Sequence, residues 1–468
     1  MSALTASLMA EGEESVGVRS PVRSKAPSLE DFEVLYTIGR GLVGQVYLVR
    51  HTALGETYAM KVIPKAFVVE ANMVAHAAAE AHILKSVSHP FVVRLVFSFQ
   101  TPDSLVLIME FMHGGDMAYL LRRRIMLRED EVVFYAAEIA EALVFLHNES
   151  IVHRDLKTGN ILLDIEGHVR LTDFGFAKVL EPSNGATTTH TYCGTGAYMA
   201  PEIMAQDKGY GMAADWWSFG VVLYEMLTGG KPFGLASAGP GGEGPEQEDA
   251  RVSARLAAIN EGDLVFPDFP VLSEHARDLL TQLLDPNPAT RLSGEDVMDH
   301  PFFADVDWDA VVNLEMEPPW EPYIEYSDEE DEYVECFPSS LTESTPVLLG
   351  VLDGGASNTT TTSGSPSKSP ASRLRASSVA TLPAFSYTSP STASALGLQL
   401  SPSSAAPGIP EYNPAPVQYR SAHGDQDDHD DHDANDSDLV PSDSVGMVRG
   451  GGRGRAESDA PLFVMSPP

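Results

Sequence analysis

His153-Arg154-Asp155 is followed by Lys157 and Asn160, and Asp173 stands further on within Leu-Thr-Asp-Phe-Gly. Transfer of a phosphoryl group needs a metal to neutralise phosphate oxygens and a carboxylate to orient the attacking hydroxyl. Asn160 and Asp173 are oxygen donors suited to Mg²⁺, a hard cation. Asp155 is the candidate to accept the hydroxyl proton, and Lys157 is spaced to contact the transferred phosphate. A lone aspartate in a loop is more often a turn former than a catalyst. Several such elements in one order at compatible spacing argue for the chemical role.

Upstream, Gly39, Gly41 and Gly44 form Gly-x-Gly-x-x-Gly, with Val46 just after. Glycines let a turn of backbone lie against phosphate oxygens with no Cβ in the way. The same spacing in a dinucleotide-binding oxidoreductase must open a helix. Here Gln45–His51 alternates as a strand, which disfavours that reading and predicts a hairpin folded over a nucleotide. Lys61, in the strand Tyr-Ala-Met-Lys-Val, can reach phosphate oxygens if an anion holds it. The helical segment 70–86 offers Glu70 or Glu80. Glu80 shares the side of Ala77, Ile83 and Leu84 that would face the sheet, so Glu80 is the expected partner.

The elements that must position these residues follow from periodicity. Short β-rich runs between residues 32 and 110, interrupted by one helical segment, predict a small sheet with one helix. After Gly114-Gly115 the pattern turns helical. Val132, Tyr135, Ile139, Leu143 and Leu146 form a stripe at three-to-four spacing. The segment Trp216–Leu227 is apolar nearly all round, a central helix that Gly229 is placed to end. Ser273 is an N-cap candidate for another helix. Residues 234–250, rich in Gly, Pro and acids, read as a surface-loop insertion. Residues 1–31 and 391–468 are expected to be disordered, and 304–390 partly so, because they hold too little apolar area to offset their ordering entropy. The histidines and carboxylates of 423–438 read as a solvated acidic tail rather than a metal site.

The 468 residues carry a formal charge of −37, which disfavours nucleic-acid binding or attraction to anionic lipid. Residues 32–303 contribute 20 basic and 35 acidic side chains, and residues 304–338 add 13 acids and no base. Two cysteines, Cys193 and Cys336, argue for a reducing compartment. Ser2 occupies the position where a myristoylation pattern needs glycine, and no apolar run could span a bilayer. The expectation is a cytosolic or nuclear protein with no direct membrane anchor.

With the glycine loop, Lys61, His153–Asn160, Asp173-Phe-Gly, Ala200-Pro-Glu202, Asp215 and Arg291 in this order, residues 32–303 resemble the eukaryotic protein kinases. "LTDFGFAK", "TYCGT" and "HPFFADVDWDAV" resemble the AGC group of Ser/Thr kinases, relatives of cyclic-AMP-dependent kinase, protein kinase C and Akt. The resemblance implies an α+β, two-lobed protein kinase fold: a small β-rich N-lobe (32–112) with one key helix and a larger, mainly helical C-lobe (113–303). It implies ATP and Mg²⁺ in the cleft. Glu110 to Met112 would be the hinge, Met109 the gatekeeper, Ile38 part of the nucleotide site, and Val46, Ala59 and Leu162 the adenine sandwich. Lys61, Glu80, Asp155 and Lys157 would be the catalytic set, and Arg291 would pair with Glu202.

By the same resemblance, Thr191 is an activation-loop phosphosite gripped by Arg154, Lys178 and His76, and an upstream AGC-type kinase supplies the phosphate. Leu382–Tyr387 resembles a docking motif with phosphosite Ser386, and Ser369 a turn-motif site. The substrates implied are protein Ser/Thr hydroxyls. A scaffold that binds partners through the same fold is the alternative, disfavoured because Lys61, Asp155 and Asp173 are all present. Two departures stand out. Thr158-Gly159 replaces Pro-Glu, and Gly196-Ala197 replaces Pro-Glu. The first removes, at Gly159, the acid that receives a substrate arginine in basophilic relatives; the second removes another acid, at Ala197, from the peptide-binding loop, while Asp116 and Glu225 remain. Weakened, not abolished, arginine selection is the expectation.

Overall fold

A computed structural model of the chain describes residues 27–41, 44–71, 73–180, 188–205, 209–234, 245–262, 264–322 and 385–395. Ser369, Cys336, Leu382 and the acidic segment 423–438 lie outside them. The N-lobe is an antiparallel sheet. Its strands are β1 (Phe32–Arg40), β2 (Gln45–His51), β3 (Thr57–Pro64), β4 (Leu95–Gln100) and β5 (Ser104–Glu110), in the order β1-β2-β3-β5-β4. Gln45–Glu110 contains the period-two alternation that builds two cores. Tyr47, Val49, Met60, Val62, Val106 and Ile108 pack on one face. Leu105, Leu107 and Met109 of β5 point to the other, joining the main core. Central β5 is thus buried on both sides and reads as a continuous apolar run.

Two helices, not one, accompany the sheet: α1 (Lys65–Glu70) and α2 (Val74–Ser86). The expected helical segment 70–86 begins later than its pattern suggests, since the Ala71 N–H closes α1 on Phe67 O at 2.8 Å. Ala77, Glu80, Ala81, Ile83 and Leu84 form the buried face of α2.

The C-lobe comprises α3 (Met117–Arg124), α4 (Glu129–Asn148), the short strands β6 (Ile151–Val152), β7 (Ile161–Leu163), β8 (Val169–Leu171) and β9 (Lys178–Val179), and α5 (Pro201–Ala205), α6 (Ala213–Thr228), α7 (Pro245–Glu261), α8 (Glu274–Leu283), α9 (Glu295–Met298) and α10 (Trp308–Val312). The stripe of α4 is fully interior: Val132, Ile139, Leu143 and Leu146 have no exposed surface. Gly229 ends α6 at φ +71°, and a Cβ there would lie 2.6 Å from Ile125 O, so only glycine fits. Ser273 Oγ caps α8, accepting the Ala276 N–H at 3.0 Å.

Three expectations need correction. Residues 27–31, assigned to the disordered N-terminus, form a capped turn in which the Ser28 N–H donates to Asp31 Oδ2 at 2.7 Å. Residues 245–250, the end of the expected insertion loop, are helical. Proline is well tolerated at a helix start, so Pro245 opens α7. In the tail, β10 (Tyr387–Thr388) adds antiparallel to the free edge of β4, pairing Tyr387 with Ser98 and Thr388 with Phe97. It leads into a helix, α11 (Pro390–Ala395), that runs past residue 390 into the stretch read as disordered. Among the described residues no helix is long and apolar enough to cross a membrane.

Candidate active site

Strand register sets the cleft. Val46 of β2 faces Lys61 of β3, and Ala59 faces Met109 of β5, so these side chains share one face of the sheet. Ile38, Val46, Ala59 and Leu162 are half-buried apolar side chains, as expected of residues that would flank adenine. Met109 and Met112 are buried. Glu110 links the hinge to β4: its N–H donates to Arg94 O at 3.1 Å and its Oε1 accepts the Arg94 N–H at 2.8 Å. The glycine turn is closed by Gly41 N–H to Gly44 O at 2.9 Å. A Cβ on Gly44 would meet Val62 O at 2.3 Å, so this glycine serves the close approach of two strands. A Cβ on Gly39 or Gly41 would meet only ordinary contacts, at 3.4 Å from Val46 Cβ and 3.8 Å from Gly44 O.

Lys61 Nζ donates to Glu80 Oε1 at 2.6 Å and to Asp173 Oδ1 at 2.9 Å. Glu70, the other carboxylate weighed, belongs to α1. Burial works against the Lys61 ammonium, but the Glu80 and Asp173 carboxylates outweigh it and hold its pKa above the usual lysine range. Lys61 in turn holds the Asp173 carboxyl below the usual range. Asp173 sits at φ +63° and Arg154 at φ +68°, conformations that side chains rarely adopt and that surrounding bonds must impose. Asp215, with no exposed surface, accepts the N–H groups of His153 and Arg154, each at 2.8 Å, and meets His147 Nε2 at 2.9 Å. Burial opposes its charge, yet these donors hold its carboxyl below the usual range.

Asp155 lies at the centre of the catalytic loop. Its Oδ2 accepts Lys157 Nζ at 2.6 Å and its Oδ1 accepts the Thr195 hydroxyl at 2.7 Å. Asn160 Nδ2 donates to Asp155 O at 2.8 Å and to Oδ2 at 3.1 Å. Committing the amide nitrogen to Asp155 leaves Asn160 Oδ1 as the oxygen for a cation. With the Asp173 carboxylate, 40% exposed toward the cleft, the donor set fits a hard divalent ion.

Sequence reasoning missed Thr195, Tyr198, Lys231, Thr189 and Tyr210. Thr195, from the loop after Cys193, also accepts Lys157 Nζ at 2.9 Å. Thr158 hydrogen-bonds the Tyr198 hydroxyl at 2.9 Å, and that hydroxyl donates to Glu225 Oε2 at 2.6 Å. Lys231 joins the same carboxylate. In the activation segment, Arg154 Nη1 and Lys178 Nζ reach Thr189 Oγ1 at 3.5 and 3.0 Å. Thr191 is exposed, and its carbonyl accepts the Tyr210 hydroxyl at 2.6 Å. His76 Nδ1 is buried near these cations with no partner among the described residues, and burial and the two cations keep His76 below its usual pKa. Glu202 and Arg291 form the expected pair at 2.7 and 3.0 Å. Ser386 is exposed beside Phe385, which is buried.

Among known proteins, the protein kinase domain family matches residues 32–303. The RAC family serine/threonine-protein kinase homolog of Dictyostelium discoideum is 41% identical over 314 residues, 66% of this chain and 66% of that protein. The RAC-beta serine/threonine-protein kinase of Rattus norvegicus is 38% identical over 310 residues, 65% of this chain and 60% of that protein. The chain therefore spans less than two thirds of the length of these curated relatives. The family uses ATP and a divalent metal, and both relatives support the AGC resemblance. On the match across both lobes of its cleft, the chain belongs to the protein kinase domain family.

Proposed function

We propose that the protein transfers the γ-phosphoryl group of ATP to Ser or Thr hydroxyls of protein substrates, with Mg²⁺ as the metal. The observation that carries this is Lys61, held at once by Glu80 and Asp173 opposite the Asp155 loop. Lys61 would hold nucleotide phosphates, and the half-buried side chains of Ile38, Val46, Ala59 and Leu162 would flank adenine, with Glu110 to Met112 offering backbone hydrogen bonds. Asn160 and Asp173 would hold Mg²⁺, which supplies charge neutralisation of the phosphate oxygens. Asp155, whose carboxylate already accepts from Lys157, Asn160 and Thr195, orients the attacking hydroxyl and receives its proton, and Lys157 stabilises the charge developing on the transferred group.

Regulation would come from an upstream AGC-type kinase acting on Thr191. A phosphate there carries about −1.5 to −2 charges and would draw in Arg154, Lys178 and His76, displacing the neutral Thr189 hydroxyl. Ser386 and Ser369 are the further proposed phosphosites. A cytosolic or nuclear location fits the acidic charge and the cysteine usage. A partner-binding scaffold is not favoured, since every group that the chemistry requires is retained.

The test is transfer from radiolabelled ATP to a degenerate serine/threonine peptide library, after treatment with an activating AGC kinase. Wild type is expected to label the library, and Asp173→Asn and Asp155→Asn to label it at least about a hundredfold less. An unlabelled library despite stoichiometric phosphate on Thr191 would overturn the reading.

A further inference from the structure

Glu225 of α6 is linked to the catalytic loop through the Tyr198 hydroxyl. Its Oε2 accepts the Tyr198 hydroxyl at 2.6 Å, and that hydroxyl meets Thr158 Oγ1 at 2.9 Å, three residues from Asp155. By the kinase resemblance, Glu225 is one of the acids that a peptide with its hydroxyl at Asp155 would meet. The carboxylate is not free to receive it. After Gly229 turns the chain back at φ +71°, Lys231 lays its side chain across the Tyr198 ring, with Nζ 4.0 Å from the centroid. Its ammonium is paired with Glu225 and donates to the Tyr198 hydroxyl.

The Lys231 side chain is only 11% exposed and that of Glu225 18%. This is an enclosed pair, not a screened surface contact. Burial draws the Lys231 pKa down while Glu225 draws it up.

The surroundings add positive charge. The Arg255 guanidinium of α7, 5% exposed, donates to the carbonyls of Gly196 and Ala197, and among the described residues no carboxylate is paired with it. Gly159 and Ala197 carry no charge. The remaining acid, Asp116, is engaged as the N-cap of α3, accepting the Tyr119 N–H at 2.6 Å, with Arg122 at 3.9 Å.

We propose that Lys231 is an internal substitute for a substrate arginine: it occupies Glu225, so that the peptide groove accepts neutral or acidic residues before the phosphoacceptor and does not select arginine. An incoming guanidinium would have to displace an enclosed ammonium and leave it unpaired. Lys231 is thus a specificity-determining residue, and the inference rests on the kinase reading above.

The experiment measures binding of fluorescent serine peptides to the full-length protein, with arginine or alanine fixed in turn at each position before the serine. Phosphorylation of the same peptides is read in parallel. Wild type is expected to bind the two series within about twofold. Lys231→Met keeps the apolar stem over Tyr198 and removes the charge. It is expected to gain about tenfold or more for arginine at one position. Adding Glu225→Gln should return the ratio to the wild-type value.

An arginine preference of about tenfold in wild type, measurable without any variant, would overturn the proposal. So would a Lys231→Met protein whose ratios are unchanged. If no peptide is phosphorylated by any form, the kinase reading falls, while the binding ratios still decide the role of Lys231.

Discussion

Phe385→Ala tests how the tail is coupled to the cleft. Phe385 is 3% exposed and belongs to the main core. Its carbonyl accepts Lys85 Nζ of α2 at 2.8 Å and the Ser98 hydroxyl of β4. Beyond it, the Ser389 N–H donates to Val96 O at 2.8 Å and the Ala393 N–H to Ser389 O at 2.9 Å. Truncating a buried phenylalanine costs about 3–5 kcal/mol. Ordering each tail residue already costs about 1–2 kcal/mol, so docking has little surplus to lose. A loss of even about 3 kcal/mol changes the docked-to-free ratio by more than a hundredfold.

In Phe385→Ala the Ser389 and Ala393 amides should therefore exchange hydrogen at near the free-chain rate. Lys85, which burial pulls down to about 8, should titrate close to the ordinary lysine value. Because Lys85 and Glu80 lie on the same helix, freeing α2 from the tail should also loosen the Lys61–Glu80 pair and slow phosphoryl transfer. Unchanged exchange at Ser389 together with an unchanged Lys85 titration would refute the coupling.

Two further predictions concern stability. Burial raises the Glu141 carboxyl to about 7, with Glu295 adding to it, and its Oε2 has no partner among the described residues. The folded state thus holds a proton that the unfolded chain releases near 4.5, so stability falls as pH rises between those values. Glu141→Gln should raise the melting temperature above pH 7, by on the order of 1–3 kcal/mol in stability, and change little below pH 4.5. An equal shift measured at both pH values would contradict this. Arg291 has a fully buried side chain bonded to Glu202, and its guanidinium lies 5.1 Å from the Trp217 ring. Arg291→Ala, which strands Glu202, should cost about 3–5 kcal/mol in denaturant unfolding, and Glu202→Gln combined with it should recover part of that loss.

What could be read from the sequence is what periodicity controls. Lys61 and Ala59 fall on one face because a strand alternates, and Glu80 meets Lys61 because the apolar side of α2 must face the sheet. Gly229 ends α6 because the apolar run stops there. What could not be read depends on loops that meet across long separations. Nothing local to Arg255 points to the Gly196–Ala197 carbonyls, nor anything near Phe385 to Lys85, three hundred residues earlier in the chain. Thr189 takes the basic site beside Arg154 because of a bridge to Tyr210, which no period announces. The start of α7 was hidden by composition, since Gly and Pro mark loops and helix starts alike.

The departures in the catalytic and peptide-binding loops make one consistent change. An acid that receives arginine from a substrate can stand solvated and unpaired between encounters only if it is exposed. Glu225 is mostly enclosed beneath Tyr198, so without a substrate arginine it needs a counter-ion from within or stands as an uncompensated buried charge. Lys231 meets that need. Thr158 fits the same logic: its hydroxyl gives Tyr198 a third partner where proline could give none, tying the catalytic loop to the Glu225–Lys231 pair. Asp155, Lys157, Asn160 and Asp173 are untouched by these exchanges. The positions proposed to meet the peptide thus depart together from the family pattern, around a set of proposed catalytic residues that matches it.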